Sequence, residues 1–435
     1  MKYETYNNYN ESNIDWIGLM PAEWNLIRLK FLADIVTGST PSKNDDTYYK
    51  EGTFPWVKPD DLKGLTPIMN TNVLINEEGK RVSRIVPKNS ILVCCIGSLG
   101  KIGISGTELA TNQQINSLIP NNLLNNNFCK YMVIASSSEY DKFSNSNVVA
   151  IINKQQQGEL NYPIPPLTEQ KQIATYLDKK TAKIDETISK NKQLIDLLEE
   201  KRVALINQVV TKGLNPEVPM EDSEIEWIGE IPEHWNEIKL KDISIKIGDG
   251  LHSTPKYEED TNYYFINGNN LENGKIKFFE NTMEVPKEEF KKYKINLNKQ
   301  SILISLNGTI GNLSFFNGEK VILGKSAGYI NLINNVNKYY IFYQLQSCNI
   351  MSYFHRELSG TTIKNLSLET LKHTKLSLPP LEEQKQIADY LLKNISKINK
   401  TIKKVNENIA LLEEYNTSLI HHVVTGKIDV RGEEI

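Results

Sequence analysis

The sequence has few cysteines, no long apolar run and no excess of charge of one sign. Its four cysteines form no C-x-x-C pair and have no histidines at zinc-ligand spacing, so we expect neither a metal site nor a disulfide framework. No apolar stretch approaches the roughly 18–20 residues of a membrane span, and the polar start MKYETYNNYNES lacks a signal core, so a cytoplasmic location is expected. The net charge of −3 gives no whole-molecule argument for nucleic-acid binding.

Several motifs occur twice, at an offset of 211–214 residues. Two copies therefore fill almost all of the 435 residues. The recurring pairs are IDWIGLMPAEWNLIRLK with IEWIGEIPEHWNEIKLK at 14–30 and 225–241, ILVCCIGSLG with ILISLNGTIG at 91–100 and 302–311, and PPLTEQKQIATYL with PPLEEQKQIADYL at 165–177 and 379–391. A period this long indicates a duplicated domain pair rather than a solenoid of 20–50-residue units.

Each copy has the same internal order. Short β-prone runs, separated by Gly, Pro and Asn, indicate a mainly β, mixed domain. A Pro-Pro pair then precedes a long stretch without Gly or Pro, which predicts helices over 168–210 and 382–424. The predicted fold is α+β, divided into a domain at 1–164, a helical region at 165–214, an acidic linker at 215–224, a second domain at 225–378 and a second helical region at 379–435.

Both predicted helices carry a heptad pattern of apolar residues, which is typical of a coiled coil. The predicted core of that coiled coil consists of Leu177, Ile184, Ile188, Ile195, Leu198, Leu205, Leu391, Ile398, Ile402, Val405, Ile409, Leu412 and Leu419. Asn191, Arg202 and Asn416 interrupt the stripes, and polar residues there set the register at some cost in stability. The matched lengths favour pairing of the two helices within one chain, and pairing with a second chain is the alternative.

Two similar domains on two similar helices favour pseudo-twofold symmetry, as in dimeric proteins that read two DNA half-sites. Charge is spread unevenly along the chain, since the linker at 215–224 carries four acidic residues and no basic one. Each domain on its own is close to neutral. A wide phosphate clamp is therefore not supported by composition, while a basic face on each domain remains open.

The doubled PPLxEQxxIAxYL and WIGxxPxxW motifs, with GSTPS at 38–42 and TNQQ at 111–114, resemble the specificity subunit of a Type I restriction-modification enzyme. The resemblance covers essentially the whole chain. It implies that each domain is a target recognition domain reading one half of a two-part DNA sequence, and that an antiparallel coiled coil fixes the spacer. It also implies two modification subunits carrying the methyltransferase chemistry, and restriction subunits that join for cleavage. S-adenosylmethionine, ATP and Mg²⁺ then belong to those partners, and this chain needs no cofactor.

Polar and basic residues in loops are the candidates for DNA contact, because amides suit adenine while Arg and Lys suit guanine and phosphate. In the first domain these are Ser39, Thr40, Ser42, Lys43, Lys80, Arg81, Arg84, Asn112, Gln113 and Gln114. In the second domain they are His252, Ser253, Thr254, Lys256, Asn267, Asn269, Asn270, Lys325, Ser326, Thr361, Thr362 and Lys364. Capping of turns is the competing explanation for each of them.

Two other functions remain as alternatives. The chain lacks the Asn/Asp-Pro-Pro-aromatic motif of amino-methyltransferases and a phosphate-binding loop, so no catalytic residue is expected. Asp60, Glu78 and Lys80 nevertheless resemble the carboxylate and lysine pattern of a Mg²⁺ nuclease, although the second copy has Asn269 and Asn270 at the matching place. The second alternative is a coiled-coil adaptor that binds no DNA.

Overall fold

A computed structural model of the chain describes residues 4–42, 46–143, 149–223, 225, 227–359 and 364–433. The chain divides into two compact units, and each is described by itself. The first unit comprises Met1–Asn191 with Asn406–Ile435, and the second comprises Lys192–Val405. The division falls inside both long helices, so each unit consists of one mixed domain and a part of each helix. The five-part division made from the sequence stays a prediction.

Short strands dominate the first copy, as its β-prone runs predict. Its elements are β1 (Tyr9–Glu11), β2 (Leu19–Pro21), β3 (Asn25–Arg28), β4 (Ala33–Thr37), β5 (Phe54–Val57), β6 (Pro67–Ile68), β7 (Leu74–Ile75), α1 (Glu77–Val82), β8 (Ile85–Val86), β9 (Ile91–Cys94), β10 (Ile102–Ser105), β11 (Leu109–Thr111), β12 (Ile115–Pro120), α2 (Asn126–Ala135), α3 (Ser137–Asp141), α4 (Lys154–Gly158), β13 (Asn161–Ile164) and α5 (Leu167–Lys212).

The second copy repeats this order with small differences. Its elements are β14 (Met220–Asp222), β15 (Glu230–Pro232), β16 (Asn236–Lys239), β17 (Ser244–Asp249), β18 (Tyr264–Ile266), β19 (Leu271–Glu272), β20 (Lys275–Ile276), α6 (Lys287–Tyr293), β21 (Ser301–Ser305), β22 (Leu313–Phe315), β23 (Val321–Leu323), β24 (Ala327–Leu332), α7 (Lys338–Leu345), α8 (Cys348–Arg356), α9 (Leu368–His373), β25 (Lys375–Leu378) and α10 (Leu381–Val424).

The first domain is built on two mixed sheets. One has the strand order β4-β12-β9-β10-β6 and the other β7-β5-β11-β8. Within them β10 pairs with β6, and β11 with β5, in parallel, while the remaining pairs are antiparallel. The strand Ile91–Cys94 is buried along its whole length, which explains its continuous apolar sequence.

The second domain has a corresponding framework. Its main sheet has the order β17-β24-β21-β22, and β18 pairs with β23 in parallel as β5 does with β11. In both copies a short antiparallel pair, β3 with β13 and β16 with β25, joins the start of the domain to the strand before the long helix. The repeated sequence therefore builds a repeated topology.

The two long helices begin directly after the Pro-Pro pairs, where a proline is tolerated because the first backbone N–H groups have no helical partner. The first begins one residue earlier and ends two residues later than the predicted 168–210. The glycines that follow, Gly213 and Gly426, have φ angles of 70° and 72°, a left-handed conformation that ends a helix without strain. The predicted α+β class, with a long helix after each domain, is confirmed.

The apolar stripes of the helices are buried against their surroundings. In the second unit Val209 and Val210 at the end of α5 share one core with Ile387 and Leu391 at the start of α10, so the helices run antiparallel there. The thirteen residues predicted as the coiled-coil core are all buried or half-buried.

None of the helices in the described part of the chain has the length and apolar character that a membrane span requires.

Candidate nucleic-acid interface

Two candidate loops of the first domain lie against each other. The backbone N–H of Ser39, just after β4, donates to the carbonyl of Thr111 at 2.8 Å. A Cβ on Gly38 would stand 2.2 Å from the carbonyl oxygen of Asn112 and 2.3 Å from that of Thr111. Only glycine lets the two backbones approach this closely, so the glycine of the GSTPS motif holds the loops together.

Hydrogen bonds between side chains connect the same loops. The Thr40 hydroxyl donates to the side-chain oxygen of Gln113, whose side chain is exposed. Asn112 is only 6 % exposed and exchanges hydrogen bonds of 2.9 and 3.1 Å with Gln114. Asn112 therefore shapes the turn, while Gln113 is the amide of this set that is most available to a base edge.

The basic candidates of the first domain separate into two positions. The backbone N–H of Arg84 donates to the Ser39 hydroxyl at 3.2 Å, and its guanidinium donates to the carbonyl of Thr37 at 2.8 Å, so it belongs to the loop cluster. Lys80 lies on α1 with its ammonium 4.3 Å from the ring centre of Phe54, and Arg81 is exposed on the same helix.

The second domain repeats the loop contact with different side chains. Here the backbone N–H of Leu251 donates to the carbonyl of Leu323 at 2.7 Å, and a Cβ on Gly250 would stand 2.1 Å from that oxygen. Lys325 is exposed in the adjoining loop. The Ser326 hydroxyl donates to the side-chain oxygen of Asn267 at 3.0 Å, which joins a second candidate segment to the cluster.

Some candidates have structural roles. Asn270 is 5 % exposed; its side chain accepts from the Asn267 backbone at 2.9 Å and donates to the carbonyl of Lys277 at 2.9 Å. Such a buried, satisfied amide is not free to contact a base. His252 pairs with Asp249 at 2.7 Å on the surface.

The remaining candidates are exposed or lie outside the described residues. Ser42, Ser253, Thr254, Lys256, Asn269 and Lys364 are exposed. Lys43, Thr361 and Thr362 lie outside the part of the chain that the structure describes. DNA contact by the whole set stays a prediction.

The aspartate that follows Asp60 has a structural role. The carboxylate of Asp61 accepts from the backbone N–H of Lys58 at 2.8 Å and so caps a short turn, as Asn270 does in the second copy. Among the described residues no group of three His, Cys, Asp or Glu side chains could hold a metal ion. Burial raises the pKa values of the Cys95 and Cys129 thiols to about 12, so neither is an activated nucleophile.

A basic segment of the second domain, on α6 and just after it, is not among the residues predicted from the sequence. Lys291 and Lys292 stand 211 residues after Lys80 and Arg81. The offset of the duplication is the signal that identifies them, because α6 occupies the place that α1 has in the first copy.

Comparisons with known proteins agree with the duplication. The family model for the Type I restriction modification DNA specificity domain matches residues 21–199 and again 232–410. The chain is 27% identical to the MjaVIII specificity subunit of Methanocaldococcus jannaschii, over 98% of both chains. It is 21% identical to the EcoKI specificity subunit of Escherichia coli, over 94% of this chain and 90% of that one.

Solved structures have the same fold. A chain from a structural study of complex assembly and conformational transition in the type I R-M system matches with a TM-score of 0.70, covering 95% of this chain and 99% of that one at 15% identity. The HsdS subunit from Thermoanaerobacter tengcongensis matches with a TM-score of 0.52, also at 15% identity, covering 94% of this chain and 98% of that one.

Proposed function

The chain belongs to the family of Type I restriction modification DNA specificity proteins, and from this premise we propose what each of its domains does in DNA recognition. The chain is the DNA-recognition subunit of such a system and is not itself the enzyme. We propose that each domain is a target recognition domain that reads one half of a two-part DNA sequence. The loop cluster at Ser39, Arg84 and Gln113 reads one half, and the cluster at Asn267, Lys325 and Ser326 reads the other.

The observation that carries this proposal is the repeated loop contact. In both copies a glycine at the end of the first sheet strand brings two loops within hydrogen-bond distance, although the side chains they present differ. An exposed amide can pair with adenine, whereas an exposed lysine suits guanine or phosphate. A framework repeated in both domains, with different side chains, is what two unlike half-sites require.

Assembly belongs to the same proposal. Two modification subunits bind the chain, restriction subunits join for cleavage, and S-adenosylmethionine, ATP and Mg²⁺ are held by those partners. Since each domain is close to neutral in charge, the isolated chain binds DNA weakly and the assembled complex binds tightly. A DNase footprint with and without the modification subunits tests this; tight specific protection by the isolated chain at physiological salt contradicts it.

The two long helices set the length of the unread spacer in this proposal. Inserting one heptad into each helix, after Asn191 and after Val405, lengthens each by about 10 Å while the apolar stripes keep their phase. That rise corresponds to about three base pairs. The gap in the footprint of the assembled complex should widen by this amount, with both half-sites unchanged. An unchanged gap would contradict the spacer role, and a heptad inserted into only one helix serves as the mismatched control.

A further inference from the structure

The second domain carries a compact basic segment on α6. Lys287, Lys291 and Lys292 lie on this seven-residue helix and Lys294 follows it directly, and all four side chains are exposed. Only two acidic residues, Glu288 and Glu289, accompany them. The segment thus concentrates positive charge in a domain that is close to neutral overall.

The helix is held in a fixed position beside a candidate reading loop. The ring of Phe290 lies 4.8 Å from the ring of Tyr263 and fastens α6 to the domain. The Glu289 carboxylate accepts from the backbone N–H of Lys256 at 3.2 Å. The lysines are therefore placed next to the loop at 252–256 by contacts that do not involve their own side chains.

The first domain has the same arrangement. There α1 carries Lys80 and Arg81, and the backbone N–H of Arg84, just beyond the helix, is bonded to the Ser39 hydroxyl. The two basic helices differ in sequence and in the bond that ties them to their loops. The position of the charge beside the loop is what they share.

Acidic residues determine which part of α6 can meet an anion. The backbone N–H of Glu258 donates to the carbonyl of Glu284, just before the helix, at 3.1 Å, and one pocket there is lined by Glu258, Glu259, Asp260, Glu280 and Glu284. Phosphate is repelled there. Lys291, Lys292 and Lys294 lie at the other end, on the last turn and the exit of the helix.

We propose that the last turn of α6 binds the phosphate backbone of DNA beside the half-site read by the second domain. The inference rests on the proposed function and adds to it a contact that reads no base. Each phosphate neutralised by a lysine releases counterions, so the contact strengthens binding to all sequences and makes it depend more steeply on salt.

The test is a salt titration of DNA binding by the chain assembled with its modification subunits. One duplex contains the two-part sequence that the complex methylates, and the other lacks it. The double variant Lys291→Ala/Lys292→Ala should make the negative slope of log K against log salt concentration less steep by about two, on both duplexes. Binding should weaken by about tenfold or more at about 0.1 M salt, while the recognised sequence stays the same. The matched control is Lys239→Ala/Lys241→Ala, which removes two charges from the same domain at the far end of β17; its slope should stay near that of the wild type.

A double variant with the wild-type slope and an unchanged thermal unfolding midpoint overturns the inference. A changed recognised sequence also overturns it, because it shows base contact. Failure of the inference can be told apart from failure of the proposed function. If the proposed function fails, the wild-type complex itself protects no two-part sequence in a footprint.

Discussion

One buried glutamine in each copy explains why the motif at the start of the long helices recurs. The side chain of Gln170 accepts from the backbone N–H of Asn125 at 2.8 Å and donates to the carbonyls of Leu123 and Pro165 at 3.0 and 2.9 Å. Gln384 makes the equivalent bonds to Asn337 and Pro379. The glutamine fastens the helix to its own domain and, being buried, is not part of a surface for partners.

Replacing Gln170 by Ala should destabilise the first unit. The change leaves one backbone donor and two carbonyls without their partner, at a cost of about 1–3 kcal/mol for each group that water cannot reach. The thermal unfolding midpoint should fall by several degrees, whereas Gln172→Ala, at an exposed position of the same helix, should change stability by less than about 0.5 kcal/mol. Equal effects of the two substitutions would contradict the fastening role.

A histidine near the end of α10 should make stability depend on pH. His421 is half-buried, and its Nε2 lies 2.8 Å from the carbonyl oxygen of Trp16. Burial lowers the pKa of His421; the hydrogen bond to the Trp16 carbonyl opposes this, and the nearby His422 and Lys427 lower the pKa further. The imidazole is therefore harder to protonate in the folded chain than in the unfolded chain.

Because protonation favours the unfolded chain, stability should be lost as pH falls below the ordinary histidine pKa of about 6.5. Unfolding midpoints measured between about pH 7.5 and 5.5 should fall more steeply for the wild type than for His421→Asn. The exposed-site variant His422→Asn should keep most of the wild-type pH dependence, because burial, the largest cause of the lowered His421 pKa, remains. Parallel curves for the wild type and His421→Asn would show that His421 contributes no pH dependence.

At the scale of elements, two polar residues in the apolar stripes of the long helices lower the stability of the fold. Asn191 and Asn416 lie in the apolar stripes, and each has a buried side-chain atom without a hydrogen-bond partner among the described residues. An unsatisfied buried polar atom costs about 1–3 kcal/mol. Such positions are retained where a polar residue fixes the register of a coiled coil.

The variant Asn416→Leu should raise the thermal unfolding midpoint, because it removes that cost and adds apolar contact. Asn408→Leu, at an exposed position of the same helix, should leave the midpoint nearly unchanged. A lower midpoint for Asn416→Leu would show that the asparagine has a needed partner. Analytical ultracentrifugation of the same variant reports whether the register or the number of chains has changed.

Sequence patterns predict the elements well and the contacts poorly. The offset of 211–214 residues and the Gly- and Pro-free stretches are enough to predict the duplicated α+β fold and to place the helix ends within two residues. The candidate loops at Ser39 and Gln113 come from motifs, but their mutual contact depends on the antiparallel pairing of β4 with β12, which joins residues distant in the sequence.

At the scale of the whole molecule, the first unit is assembled from two segments far apart in sequence, whereas the second unit is one continuous segment. In the first unit the backbone N–H of Asp429 donates to the carbonyl of Glu4 at 2.9 Å, and the guanidinium of Arg431 lies 4.6 Å from the ring centre of Tyr6. In the second unit the hairpin of β14 and β15 takes the place that β1 and β2 have in the first. We propose that the strength of DNA binding comes from assembly with the modification subunits and from local basic segments.

The central claim is that two unlike domains of one chain read two parts of one DNA sequence. Methylation profiling of DNA from cells carrying the chain with its modification subunits tests it most directly. We expect one methylated motif made of two short, different specific parts separated by a fixed number of unread bases, and we expect it to be lost when the chain is removed. A single uninterrupted motif, or methylation that persists without the chain, would show that the two domains do not read two parts of one sequence.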